Sequence, residues 1–172
     1  MNGNNSAEPY YTAYERRYRA VYAAGVKTWG HNTDDQTLLD TLSRWAAQNK
    51  LTGKRVIEFA CGEGSAGVIL SGLGCAYTGA DIAPSAVARA QEALAGYPGA
   101  RVMTLDMVND KIGEIFDGAL DVMGFHMLVT DADRAKYLSN VRASLAPGAP
   151  ALFFREVYRA DAYEGEVASF ED

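Results

Sequence analysis

The chain has little that would tie it to a metal, a membrane or a polyanion. Its 172 residues include two cysteines, Cys61 and Cys75, without the short paired spacing of a metal site. Cys61 falls in a loop and Cys75 just ahead of a predicted strand. That placement argues against a disulfide and fits a reducing cytoplasm. No apolar run approaches the roughly 20 residues of a membrane span. The polar start, Met1-Asn-Gly-Asn-Asn-Ser-Ala-Glu-Pro9, carries no signal pattern. Positive charge is not in surplus: 16 Lys and Arg against 22 Asp and Glu leave a net charge of −6. A field of that sign draws in neither nucleic acid nor an anionic membrane surface, so a small-molecule partner is expected. Internal repeats and low-complexity tracts are also missing.

What is present suits one domain with a sizeable core, since 48% of the residues are hydrophobic and 22% charged. The rest of the chain is arranged around Lys54-Arg-Val-Ile-Glu-Phe-Ala-Cys-Gly-Glu-Gly-Ser-Ala-Gly67. A β-prone run ends in small residues and opens a short apolar helix, Ser65–Leu73. A strand, a glycine-rich turn and a helix in that order leave backbone room for a ligand above a sheet edge. Gly62-Glu-Gly64-Ser-Ala-Gly67 matches GxGxxG, a dinucleotide signature when it stands in this context. The same turn could also join strand to helix with no ligand at all.

Before this turn, residues 1–9 read as a tail and residues 10–24 as a helix. Tyr14, Tyr18 and Tyr22 recur every fourth residue on one face, with Tyr11 beside them. That stripe either packs the helix on the sheet or lines a ligand. Trp29 and His31 follow a Gly25 stop. Asn32–Asp35 offers a cap for a helix over 34–49, whose face is Leu38, Leu42 and Trp45. After the turn, residues 76–80 read as a second strand ending at Asp81, and Pro84 opens a helix running to residue 95. Residues 100–105 give a third strand, followed by Asp106-Met107. A short helix is expected over 111–116, a fourth strand over 116–125 and a fifth over 151–158. Between the last two, residues 131–145 form a helix with Leu138, Val141 and Leu145 on one face.

The segment Val56-Ile-Glu-Phe-Ala-Cys-Gly-Glu-Gly64 resembles motif I of the class I S-adenosylmethionine (SAM) methyltransferases. In that family an acid closes the first strand and Cys-Gly-x-Gly or a close variant follows two residues on; Ala60 stands where Gly is commonest. The resemblance implies an α/β fold, a Rossmann-like, doubly wound parallel sheet in three αβα layers, with strand order 3-2-1-4-5. Its C-terminal hairpin, strands 6 and 7, would be missing or truncated. It divides the chain into a helical cap over 1–49, a SAM-binding domain over 50–158 and an acidic tail over 159–172. It implies a methyl transfer from SAM to a small-molecule acceptor by in-line displacement.

Residue by residue, the resemblance gives Glu58 the methionine amine and Ala60, Cys61, Gly62 and Gly64 the backbone approach. Asp81, with Ile82 beside it, takes the ribose, and Asp106 with Met107 the adenine. Gly124 and Phe125 lie by the methionine part, and Trp29, Tyr18 and His126 face the acceptor, with His126 a candidate base. The acids also weigh against a dinucleotide, because an anionic pyrophosphate gains nothing from Glu58 and Glu63, whereas SAM carries an ammonium and a sulfonium. An NAD-dependent oxidoreductase and a non-catalytic SAM-binding or assembly module remain the alternatives. An open edge on the fifth strand would invite a homodimer.

Overall fold

The computed structural model describes residues 9–29 and 32–156. Its five strands are β1 (Arg55–Phe59), β2 (Ala76–Asp81), β3 (Arg101–Thr104), β4 (Gly118–Val122) and β5 (Ala151–Phe154). They form one sheet in the order β3-β2-β1-β4-β5, and every pair is parallel. This is the expected order. β1 lies in the centre because both its faces are apolar: Val56 points into one core and Ile57 and Phe59 into the other.

The first core holds α2 (Gln36–Gln48) and α3 (Ser65–Gly72) against the sheet, through Leu38, Leu42, Trp45 and Leu70 packed on Val56, Tyr77 and Leu120. The second holds α5 (Asp131–Ala143), through Tyr137 and Val141 packed on Phe59 and Ala119. Helices on both faces make the three layers. α4 (Pro84–Ala93) joins β2 to β3, and α1 (Ala13–Ala23), entered by a 3-10 turn at Tyr10–Thr12, crosses the end of the sheet.

Local chemistry explains the helix ends. Asp35 caps α2 by accepting the Leu38 N–H at 3.1 Å. Thr130 caps α5 by accepting the Asp133 N–H at 3.2 Å. α4 has no side-chain cap of its own at Ala83. Its open N–H groups are met instead from another helix. Glu15 of α1 accepts the Ser85 N–H at 3.0 Å and the Ser85 hydroxyl at 2.7 Å. A carboxylate is favoured at that positive helix end, so the capping contact also docks α1 onto α4.

Three expectations are corrected. Residues 111–116 form no helix, because Gly113 is left-handed (φ +68°) and Glu114 is drawn out to Arg55 and Arg101. Leu138 is 42% exposed. Tyr137 and Ser144 bury beside Val141 instead, which rotates the inner face of α5 by one residue. β4 begins at Gly118 and β5 stops at Phe154, where Arg155 turns left-handed (φ +61°). His31, Tyr158 and the segment over 159–172 lie outside the described residues, and so do the expectations placed on them.

Candidate active site

At the top of β1 the backbone turns through left-handed residues: Ala60 (φ +53°), Gly62 (φ +52°) and Gly64 (φ +82°). Ala60 bears a strain of about 1 kcal/mol that glycine would avoid. The turn is pinned to β2, since Cys61 N–H donates to the Ala80 carbonyl at 3.0 Å and Gly62 N–H to Asp81 at 2.8 Å. A side chain on Gly62 would be strained by its left-handed backbone, and its Cβ, within 2.9 Å of the Tyr18 hydroxyl, would push that group aside. Gly64 serves the fold rather than the cleft. Its αL conformation opens α3, and a Cβ would meet Ala90 at 3.1 Å.

Above this turn lies a cavity of about 310 Å³, of the size that holds small molecules. Glu58, Asp81 and Asp106 all line it, and so do Ala60, Cys61, Gly62, Ile82, Met107 and Gly124. Their electrostatics differ. Burial pushes the Glu58 carboxyl up to about 8, opposed by a hydrogen bond from Tyr77 and reinforced by the charge of Asp81. Burial also raises Asp81, against the N–H groups of Ala83, Gly62 and Ile82 that favour its anion. Asp106 is half-buried and caps its own turn, accepting the Val108 N–H at 2.9 Å.

The aromatic stripe of α1 faces this cavity rather than the core alone. Tyr11, Tyr14, Tyr18 and Trp29 line it. Trp29 stacks on Tyr14, with centroids 6.2 Å apart, and meets Tyr18 edge-on at 4.8 Å. Glu63 fixes this group. Its carboxylate accepts the Tyr22 hydroxyl at 2.9 Å and the Trp29 N–H at 2.9 and 3.0 Å. Arg89 lies over the Tyr22 ring at 3.7 Å. Burial raises the Tyr18 hydroxyl, with Asp81 and Glu63 adding to the effect, so it stays a neutral donor.

Residues 57–151 match the family model described as a methyltransferase domain. The chain belongs to that family. Solved structures share the domain's fold. The glycopeptide N-methyltransferase MtfA complexed with SAM is 22% identical; the match covers 67% of this chain and 53% of that one, with a TM-score of 0.60. A SAM-dependent methyltransferase from Clostridium acetobutylicum ATCC 824 is 20% identical over 83% of this chain and 56% of that one, TM-score 0.63. SAM-bound CalS10, an amino pentose methyltransferase from Micromonospora echinaspora, is 24% identical over 92% and 62%, TM-score 0.62. The chain spans about half the length of the MtfA structures. No curated protein matches it in sequence.

In this methyltransferase domain the tip of β4 departs from expectation. Phe125 and His126 do not line the cavity; Gly124 and Met127 do. Residues 125–127 form a 3-10 turn, in which side chains three apart eclipse. Gly124 meets the cavity as bare backbone and Met127 as a side chain, and the two between them are turned off it. Phe125 packs on Tyr137 and Phe153. The His126 ring, 6% exposed, lies 3.3 Å from Glu156. It is a held packing residue of the methyltransferase domain rather than a base facing an acceptor.

The sequence reading passed over the pair behind that tip. Asp121, fully buried on β4, accepts the Gly124 N–H at 2.6 Å and the Tyr137 hydroxyl at 2.5 Å. Glu156 accepts the N–H of Met123 at 2.6 Å and of His126 at 3.0 Å. Burial and the Glu156 charge raise Asp121 well above the usual range. Burial also presses on Glu156, but the His126 hydrogen bond and others hold it low. The pair is thus driven apart, Asp121 toward its protonated form and Glu156 toward its anion. An aspartate inside the apolar run Ala119-Leu-Asp-Val122 was the available signal. Among the described residues no group of three or more His, Cys, Asp or Glu could hold a metal ion, and no helix is long and apolar enough to cross a membrane.

Proposed function

We propose that this chain binds SAM and transfers its methyl group to a small-molecule acceptor. The carrying observation is that Glu58, Asp81 and Asp106, from three neighbouring strand ends, line one cavity over an open backbone turn. The residues fit the cofactor part by part. Glu58 suits the α-ammonium. Asp81, although it accepts Gly62 N–H and Ala83 N–H at 2.8 Å each, retains lone pairs for ribose hydroxyls. Asp106 and Met107 suit the adenine. The bare backbone of Gly62 and the small Ala60 and Ala66 leave the floor open.

When bound, SAM supplies an electrophilic methyl on a sulfonium, so the protein's part is placement and exclusion of water. Tyr14, Tyr18, Trp29 and Met127 line the same cavity and would hold the acceptor in line. With His126 turned to Glu156, we assign no general base. An acceptor that arrives as a neutral amine or a thiolate needs none at the moment of transfer. The dinucleotide alternative draws no support from Gly67, whose missing side chain makes room for Tyr77: a Cβ would lie 2.5 Å from that ring.

The reading includes the three-part division of the chain at residues 49 and 158, a cytoplasmic setting, and a homodimer across β5, the last strand of the described sheet, where Phe153 is 36% exposed. Titration calorimetry with SAM, its demethylated product and NADH tests the core of it. SAM and the product should bind and NADH should not. Methyl transfer to a panel of amines, thiols and phenols then separates an enzyme from a binding module, and NADH binding alone would refute the reading.

A further inference from the structure

The sheet register places Gly79 of β2 directly beside Glu58 of β1, and Tyr77 beside Val56. Tyr77 and Glu58 therefore point to the same face, two residues apart along the strands. Ordinarily the side chain at position 79 would fill the space between them. Here it is absent, and the phenol ring lies in that space. A Cβ at Gly79 would come 2.9 Å from both the Tyr77 hydroxyl and the Cys61 sulfur. On the other side of the ring is Gly67 of α3, where a Cβ would sit 2.5 Å from Cε1. Two glycines thus admit one wholly buried tyrosine, whose hydroxyl donates to the Glu58 carboxylate. Glu58 is 2% exposed and faces the cavity. A buried carboxylate needs donors to remain ionised, and Tyr77 is the donor this site supplies.

We infer that Tyr77 is a positioning residue for Glu58, holding its carboxylate in the orientation and ionisation that the α-ammonium of the cofactor requires. This rests on the SAM site proposed above. At neutral pH the unliganded Glu58, with its carboxyl near 8, is largely protonated. Binding a cation beside it must drive that proton into solvent. The Tyr77 hydroxyl stabilises the anion and so eases the release. Removing it should delay ionisation to higher pH.

The test compares wild type with Tyr77→Phe. Carboxyl NMR titration of Glu58 in the unliganded full chain should show the midpoint moving up in the variant. Calorimetry with the demethylated product, which keeps the ammonium, should show roughly tenfold weaker binding at pH 7, with the gap narrowing as pH rises. Proton release, read from buffers of different ionisation enthalpy, should shift to higher pH. In a Glu58→Gln background the Tyr77→Phe change should add no pH-dependent loss. A uniform loss at every pH with coincident Glu58 titrations would mean that the tyrosine only packs, and would overturn the inference. If neither protein binds SAM or its product at any pH, the site reading fails and the ammonium role with it, whereas the titration still reports the Tyr77–Glu58 coupling.

Discussion

Tyr11 and Asp106 meet at 3.2 Å across 95 residues of chain, the phenol donating to Oδ2 of the carboxylate. That oxygen also accepts Asn109 Nδ2 at 2.9 Å, while Oδ1 accepts the N–H of Val108 at 2.9 Å and of Asn109 at 3.2 Å. A carboxylate offers about four lone-pair sites, and four donors fill these. An adenine amino group must displace one of them. Val108 and Asn109 belong to the turn that Asp106 closes, which leaves Tyr11 as the donor to yield. Tyr11→Phe should therefore tighten SAM binding by roughly two- to tenfold. Asp106→Asn, which can present a donor where an acceptor is needed, should weaken it by about tenfold or more. Calorimetry measures both. Weaker binding by Tyr11→Phe would show that the phenol holds the carboxylate for the ligand rather than competing with it.

The outline of this arrangement was legible because open α/β sheets place their acids at strand ends, and strand ends are marked by where an apolar run stops. Glu58, Asp81 and Asp106 could be located that way, and the family resemblance implied the 3-2-1-4-5 order that places them on one rim. The turn after β4 could not. Whether His126 or Met127 faces inward depends on a 3-10 turn and on Met123 at φ +65°, and neither follows from periodicity. The Asp121–Glu156 pair was hidden for a similar reason, since Glu156 lies beyond β5 and reaches back to the tip of β4. Nor could the third glycine of GxGxxG declare its purpose, because the ring that needs the space lies on another strand.

That purpose gives a prediction. Gly67→Ala should destabilise the fold by about 1–3 kcal/mol or more, since the new methyl collides with a wholly buried ring that has nowhere to move. Gly99→Ala, with nothing within 4 Å of its Cβ, should change stability by about 0.5 kcal/mol or less. Tyr77→Ala should relieve the clash in a Gly67→Ala background, making the pair less damaging than the sum of the singles. Urea unfolding of the wild type and these four variants decides it. Strict additivity would remove Tyr77 as the reason for the glycine.

Ala60 makes the opposite prediction. A left-handed alanine at the head of the turn stores strain, and Ala60→Gly releases it while giving the unfolded chain more freedom. The two effects oppose each other, so the net gain should stay at or below about 1 kcal/mol. The methyl also stands close to the backbone at Gly124, where an added Cβ would be 2.5 Å away. Removing it should loosen the contact between the tips of β1 and β4. The expected result is an equal or slightly higher melting temperature with faster amide exchange at Gly124. A fall of more than about 2 kcal/mol would show that the Ala60 methyl packs more than it strains.

The buried acids set a pH dependence whose sign is fixed. Glu58 rises from 4.5 to about 8 on folding, and Asp81 and Asp121 are raised as well. Below about pH 4 both folded and unfolded chains hold the Glu58 proton, and it costs no stability. Between about pH 4.5 and 8 the unfolded chain gives up the Glu58 proton while the folded one keeps it, and Asp81 and Asp121 act in the same direction. The folded state then binds more protons, and stability falls as pH rises. For Glu58 alone a displacement of this size amounts to at most about 5 kcal/mol. Glu156, lowered on folding, acts in the other direction and only as pH falls below its ordinary range. The unliganded chain should accordingly melt at a lower temperature at pH 8 than at pH 5.5. Glu58→Gln should flatten that slope without abolishing it, because Asp81 and Asp121 remain. A ligand carrying an ammonium should stabilise the wild type more at pH 8 than at pH 6. Melting curves from pH 5 to 9, with and without the demethylated cofactor, measure all three. A Glu58→Gln slope parallel to wild type would mean that this carboxyl ionises in the folded chain as readily as in water, and that the cavity is wetter at its floor than its burial implies.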